Sequence, residues 1–164
     1  MLDLSGVSNL SPLTVYSPVS QQISVADLGW LAGFLDGEGC IRIAQRDPGN
    51  GANSIYSLEV TISQNSLQTL EHFKAALGIS SSIYVYPCTG NLRRPVYGLT
   101  YRCTRANEVL VLLAPHLVRK REEALLGIEF AKHIASIARQ GQRRHSAEVM
   151  AVREAFYLRM RALK

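Results

Sequence analysis

The sequence predicts an α+β fold in which helices cover a four-stranded antiparallel sheet. Two observations support this prediction. Apolar residues recur with helical spacing in five segments and alternate with polar residues in four others. The alternating segments form two pairs, each joined by a stretch rich in turn residues, which predicts two hairpins. The expected order is therefore helix, hairpin, helix, hairpin and three further helices.

The first helix is predicted over residues 25–36. Ser24 can cap its amino end, and Asp27 lies three residues further on, as in a capping box. Gly37 and Gly39 are expected to end the helix.

The other elements follow from the same two periodicities. In the segment 55–63, apolar residues at every second position face the core, and the intervening polar residues face outward. The remaining elements are predicted as strands at 40–46, 82–86 and 96–103, and helices at 67–77, 106–113, 118–139 and 146–163.

The chain length and composition favour one domain preceded by an arm. A chain of 164 residues with 47% hydrophobic residues can bury a full core, and no apolar run is long enough to span a membrane. Residues 1–22 are rich in Ser and Pro and do not resemble a signal peptide. We therefore expect an arm at 1–22, a single domain at 23–164 and an intracellular protein.

The cysteines and histidines do not suggest a structural cross-link. The chain has three cysteines, an odd number, and they form no CxxC pair. The four histidines lack the spacing of metal ligands. Neither a disulfide framework nor a zinc site is therefore predicted.

Positive charge is concentrated at the carboxyl-terminal end. Residues 1–116 contain seven Lys/Arg and eight Asp/Glu, whereas residues 117–164 contain eleven and five. A basic segment attached to a nearly neutral one suggests a polyanionic partner such as nucleic acid.

The stretch LAGFLDGEG, residues 31–39, combines two unusual features. Gly33 and Gly37 share one helix face, where the absence of side chains allows another helix to approach closely. Asp36 and Glu38 lie at the helix carboxyl end, where the macrodipole is negative, so a cation is needed to compensate them. Carboxylates beside a backbone carbonyl oxygen are suited to Mg²⁺.

This stretch resembles the signature of the LAGLIDADG homing endonucleases, especially their single-motif, homodimeric group. The predicted order of elements over about residues 24–140 is also similar to the αββαββα core of that family. The resemblance implies a homodimeric, Mg²⁺-dependent endonuclease that makes a double-strand break in a long, nearly palindromic DNA target.

The family pattern implies a role for several residues. Glu38 corresponds to the metal-binding acid, which is more often Asp in the family, and the Gly37 carbonyl completes the ligands from the protein. Gln64, at the end of the second strand, would position the attacking water, and Lys120 would stabilise the phosphate charge. The dimer interface would contain Ala32, Gly33 and Gly37.

The outward faces of the strands would then contact DNA. An antiparallel ribbon fits the major groove, and a strand of about eight residues spans roughly eight base pairs. Arginines are candidates for guanine or phosphate contacts, and smaller polar residues for lighter contacts. The predicted DNA-binding residues are Arg42, Arg46, Ser57, Glu59, Thr61, Arg93, Arg94, Arg102, Arg119 and Arg121.

Two alternatives remain open from the sequence. One is a same-fold binding protein, either an RNA maturase or a DNA-binding regulator that does not cut. The other is a small dimeric α+β protein whose basic segment only aids solubility. The presence of both acids in the motif favours the enzyme over the first alternative.

Overall fold

The computed structural model describes residues 23–49, 53–86, 94–138 and 145–164. The predicted arm at 1–22 lies outside these residues, as do Cys88 and Arg93. The described elements follow the predicted order and are α1 (Val25–Glu38), β1 (Gly39–Arg46), β2 (Ile55–Gln64), α2 (Leu67–Leu77), β3 (Ile83–Tyr86), β4 (Val96–Arg102), α3 (Thr104–Leu113), α4 (Arg121–Ala138) and α5 (Ala147–Ala162).

The four strands form one antiparallel sheet in the order β1-β2-β4-β3. Gly39 pairs with Ile62 and Arg46 with Ile55, so the motif lies at the end of the sheet opposite the first hairpin turn. This arrangement confirms the α+β prediction and its two hairpins.

The helices bury one face of the sheet. The core contains the alternating apolar residues of the strands, including Ile41, Ile43 and Val60, packed with Leu31 and Leu35 of α1. The apolar positions predicted for β2 are all buried, namely Tyr56, Leu58, Val60 and Ile62. The opposite face of the sheet carries polar and charged side chains.

Local capping explains several helix ends. The Ser24 hydroxyl accepts a hydrogen bond from the Asp27 amide at 3.1 Å, which confirms the predicted cap of α1. Gly78 ends α2 in the left-handed conformation, with φ of 70°, where a glycine is favoured.

Within the described ranges, no helix is long and apolar enough to cross a membrane.

The start of α4 differs from the prediction. The sequence predicts a helix from residue 118, but α4 begins at Arg121. The residues Val118–Lys120 instead form a turn whose amide groups bind a side chain of α1, as described below.

Candidate active site and nucleic-acid interface

The passage from α1 into β1 depends on Gly39. Its backbone is extended, with φ of −81°, so left-handed geometry is not what requires glycine here. A Cβ atom at this position would lie 2.6 Å from the Leu35 carbonyl oxygen and would also collide with the Leu35 side chain. Glycine therefore allows the strand to start directly after the helix, and Glu38 lies at that junction.

Asp36 binds the turn that precedes α4. Its carboxylate accepts hydrogen bonds from the amides of Val118 at 2.7 Å, Arg119 at 3.1 Å and Lys120 at 2.9 Å. Although burial alone raises the pKa of the Asp36 carboxyl, these amides and the charge of Lys120 outweigh burial and hold the pKa below its usual value. Asp36 thus caps the amino end of α4 across more than 80 positions of sequence.

Lys120 is held against the carboxyl end of α1. The residue is only 5% exposed, and its Nζ atom donates a hydrogen bond to the Asp36 carbonyl oxygen. Burial, followed by the charge of Arg119, lowers the pKa of Lys120. A positive charge at this point complements the negative end of the helix macrodipole.

Glu38 has no comparable partner. Its side chain is exposed, and no hydrogen bond or ion pair to it occurs within the described ranges. One residue, Gly37, separates Glu38 from Asp36 along the chain, but of these two acids only Asp36 binds other described residues. Glu38 is therefore the acid of the motif that has no partner among the described residues.

The residues around Glu38 fit part of a metal site. Gly37 lies in the last turn of α1, where carbonyl oxygens have no partner within the helix. One carboxylate and one carbonyl oxygen are hard ligands that suit Mg²⁺. The described residues contain no group of three or more His, Cys, Asp or Glu side chains arranged to hold a metal. The described residues around Glu38 therefore supply part of a ligand set.

One face of α1 is open. Cβ atoms added at Gly29, Gly33 and Gly37 would each meet nothing within 4 Å among the described residues. These three glycines follow one another at four-residue spacing and form a strip free of side chains, which we call the glycine face. Ala32, which the sequence also assigned to the dimer interface, is 1% exposed and packs into the chain's own core, so its place in that interface stays a prediction.

Gln64 is the last residue of β2, at the motif end of the sheet. It lies two residues beyond Ile62, the partner of Gly39. Its Oε1 atom accepts a hydrogen bond from the Asn65 amide at 2.8 Å. The predicted position at a strand end is therefore present, and the side chain is engaged locally.

Three charged residues form a row across the outward face of the sheet. Glu59 is paired with Arg42 on β1 and with Arg102 on β4. Its carboxylate accepts hydrogen bonds from Arg42 at 2.6 and 2.9 Å and from Arg102 at 3.1 Å. Hydrogen bonding to Glu59 raises the pKa of Arg42. Glu59 is only 6% exposed, so its carboxylate orients two arginines rather than projecting toward solvent as expected from the sequence.

The other described residues that were predicted to bind DNA are two half-buried residues of β2 and four exposed arginines. Thr61 is half-buried on the outward face, and its hydroxyl lies 3.2 Å from that of Thr100. Ser57 is half-buried and lines an apolar cleft with Cys103 and Phe130. The four remaining described arginines of this set are exposed: Arg46, Arg94, Arg119 and Arg121.

Sequence reasoning missed two aromatic residues on the same outward face. Tyr84 and Tyr86 on β3 are 37% and 38% exposed, and their rings contact each other edge to face. The spacing of two tyrosines at alternate positions of a predicted strand was the available signal, because such residues share one sheet face.

A model of the LAGLIDADG endonuclease family matches residues 31–117, more than half of the chain. The chain belongs to this family. The match begins at the first residue of the motif and includes both hairpins, α2 and α3. No curated protein matches the sequence.

Several solved structures share the fold. The homing endonuclease I-CvuI, solved in complex with its target in the presence of calcium, is 20% identical with a TM-score of 0.68, and the match covers 85% of this chain and 82% of that one. The archaeal intron-encoded homing endonuclease I-Vdi141I, complexed with DNA, is 16% identical with a TM-score of 0.54, over 81% and 98% of the two chains.

The LAGLIDADG homing endonuclease I-GzeII, in complex with a DNA target, is 18% identical with a TM-score of 0.61. The match covers 82% of this chain but only 43% of that longer one. The chain is therefore similar in fold both to chains of about its own length and to part of a longer chain.

Proposed function

We propose that the protein is an intracellular homing endonuclease that makes a double-strand break at a specific, nearly palindromic DNA site by metal-dependent hydrolysis. The observation that carries this proposal is the contrast between Asp36 and Glu38. Asp36 is held by three amides and has Lys120 buried against its carbonyl oxygen, whereas Glu38 at the same helix end is exposed and has no hydrogen bond from the described residues. An exposed acid at a helix end that also holds a lysine is suited to a metal ion and a phosphate.

In this proposal, Glu38 and the Gly37 carbonyl oxygen hold Mg²⁺. When bound, such an ion stabilises the negative charge that develops on phosphate oxygens and lowers the pKa of a bound water. Calcium in the I-CvuI structure is in keeping with a divalent metal in this fold.

Other residues of the chain orient and neutralise the reacting groups. Lys120, fixed by Asp36, supplies a positive charge next to the scissile phosphate. Gln64 orients the attacking water, because its Oε1 atom can accept a second hydrogen bond besides the one from the Asn65 amide and its Nε2 atom can donate. The exposed Arg119 and Arg121 contact flanking phosphates.

Two chains form the active enzyme. One chain supplies one motif, and cleavage of two strands requires two. The glycine face allows two α1 helices to pack closely around a two-fold axis, which brings one Glu38 from each chain to the centre. Such a dimer would bind a target whose half-sites are related by the same symmetry. Residues 23–164 act as one domain in each chain, with residues 1–22 as an arm.

The sheet reads the target. Arg42 and Arg102 project from the two strands that flank β2 and are held by the one carboxylate of Glu59, so each can present two donors to a guanine in the major groove. Arg46, Arg93 and Arg94 belong to the two hairpin ends or their loops and contact outer bases or the backbone, while Ser57 and Thr61 make lighter contacts.

Selection for cleavage tests the proposal. Purified protein is incubated with a randomised duplex library and Mg²⁺, and the cut ends are sequenced. Recovery of one long, nearly palindromic site with staggered ends is the expected result. Salt-sensitive DNA binding without cutting would favour a DNA-binding regulator, and binding to intron RNA alone would favour a maturase. The absence of both binding and cutting would contradict a nucleic-acid function.

A further inference from the structure

Four hydroxyl groups form a continuous chain across the outward face of the sheet. The Thr61 and Thr100 oxygens are 3.2 Å apart, those of Thr100 and Tyr84 are 2.9 Å apart, and those of Tyr84 and Tyr86 are 2.9 Å apart. The chain runs from β2 through β4 to β3, beside the row of Arg42, Glu59 and Arg102. We call these four residues the hydroxyl row.

The ring of Tyr84 lies over Gly98. A Cβ atom at Gly98 would come within 2.6 Å of two ring carbons of Tyr84, so a side chain at position 98 would displace the ring. Cross-strand cover of a glycine by an aromatic ring stabilises a sheet and accounts for the ring. It does not account for a hydroxyl on Tyr84, or for Tyr86, whose side chain is next along the same face. The hydroxyl groups therefore call for a second explanation.

The hydroxyl row and the arginines differ in hydrogen-bonding capacity. Arginine can only donate, whereas a hydroxyl can donate or accept. In each of the three contacts of the row, either oxygen can be the donor. Rotation of the O–H bonds alone therefore reverses the direction of hydrogen bonding along the row. In one direction Tyr86 can donate a hydrogen bond to a base, and in the other it can accept one. The Tyr84 hydroxyl is protonated near neutral pH, as tyrosines ordinarily are, and burial raises its pKa further.

The four bases of DNA offer different hydrogen-bonding groups to the arginines and to the hydroxyl row. Guanine presents only acceptors in the major groove, which suits arginine, and cytosine presents a donor. Adenine has one of each, and thymine has an acceptor and a methyl group. A side chain that only donates hydrogen bonds selects guanine. A side chain that can both donate and accept them tolerates several bases.

We propose that the hydroxyl row is a second, permissive base-reading element, in which Tyr84 and Tyr86 contact bases of the target and tolerate more than one base. This inference rests on the proposed function, because it assumes that the outward face binds DNA. It predicts a half-site that is strict where it faces Arg42 and Arg102 and degenerate at the neighbouring base pairs that face Tyr84 and Tyr86.

Base preferences of a hydroxyl-deleted variant test the inference. The double variant Tyr84→Phe/Tyr86→Phe keeps both rings, including the one over Gly98, and removes two hydroxyl groups. A phenylalanine ring favours the thymine methyl group, so we expect thymine to be enriched by about threefold or more at one or two base pairs of each half-site. Positions read by the arginines should not change.

The experiment uses full-length protein, a randomised duplex library and Ca²⁺ in place of Mg²⁺, with bound DNA recovered and sequenced. Tyr157→Phe, which removes a hydroxyl from α5 on the covered side of the sheet, is the matched control and should leave every preference unchanged. Identical preferences in the double variant and the wild type would overturn the inference while leaving the proposed function in place. The same shift in Tyr157→Phe would also overturn it. Failure of the wild type to select any duplex would overturn both.

Discussion

Asp36 and Glu38 lie two residues apart at the carboxyl end of α1, but their surroundings differ completely. Asp36 accepts three amide hydrogen bonds from the turn before α4, and its carbonyl oxygen accepts another from Lys120. Glu38 is exposed at the start of β1. The comparison teaches that a motif with two acids can divide them between folding and chemistry. Which acid does which is decided by the donors that the fold brings to each.

The largest expected effect is the difference in unfolding free energy between the alanine variants of the two acids. Asp36→Ala removes a charged cap from three amides, so we expect the free energy of unfolding to fall by about 2 kcal/mol. Glu38→Ala is the matched control and should change it by less than about 0.5 kcal/mol. Urea unfolding of both variants measures the difference, and equal losses would contradict the division of roles.

The two sides of α1 allow a second comparison. Gly33→Leu places a side chain on the open glycine face, where the single chain has room for it, and leucine is a better helix former than glycine by up to about 1 kcal/mol. We expect a monomer that is at least as stable, but a dimer weakened by about tenfold or more, because overpacking an interface costs about 1–3 kcal/mol. Sedimentation equilibrium measures the association.

Gly39→Ala serves as the counterpart on the packed side of the same helix end. Its Cβ atom would collide with Leu35, so this variant should lose stability within a single chain. If Gly33→Leu instead leaves the dimer affinity unchanged, the glycine face is not the interface.

The smallest expected effect is a pH dependence that belongs to Asp36. Because the pKa of Asp36 is lower in the folded protein, its carboxylate contributes stability above the unfolded-state pKa of about 3.9. That contribution is lost as the pH falls through the lower folded-state value. The difference in unfolding free energy between the wild type and Asp36→Asn should therefore be constant from about pH 7 to 5 and shrink below about pH 4. A difference that increases on acidification would contradict this account.

Local patterns were sufficient to predict most of the fold. Helical spacing with Ser24 as cap predicted the start of α1, and alternation predicted the buried face of β2. The start of α4 could not be predicted in this way, because the amides of Val118–Lys120 find their acceptor in Asp36, far away in the sequence. Long-range hydrogen bonds leave no periodic signal.

The candidate site was predictable in part. The motif identified Glu38 and its glycines, but it did not distinguish the role of Asp36. Alternation placed Glu59 on the outward face, but its burial between Arg42 and Arg102 depends on the register of three strands. Tyr84 and Tyr86 are visible in the sequence as alternating tyrosines, and their link to Thr100 and Thr61 emerges only when β3 and β2 flank β4.

The most direct test of the central claim is the cleavage rate of Glu38→Gln on the duplex selected by the wild type. This variant keeps the shape of the side chain but removes its charge. We expect unchanged folding and DNA binding, and cleavage slower by at least about 100-fold, because metal-ion stabilisation of the transition state is worth several kcal/mol. Cleavage at the wild-type rate with Mg²⁺ would contradict the assignment of Glu38 as the acid that supports catalysis.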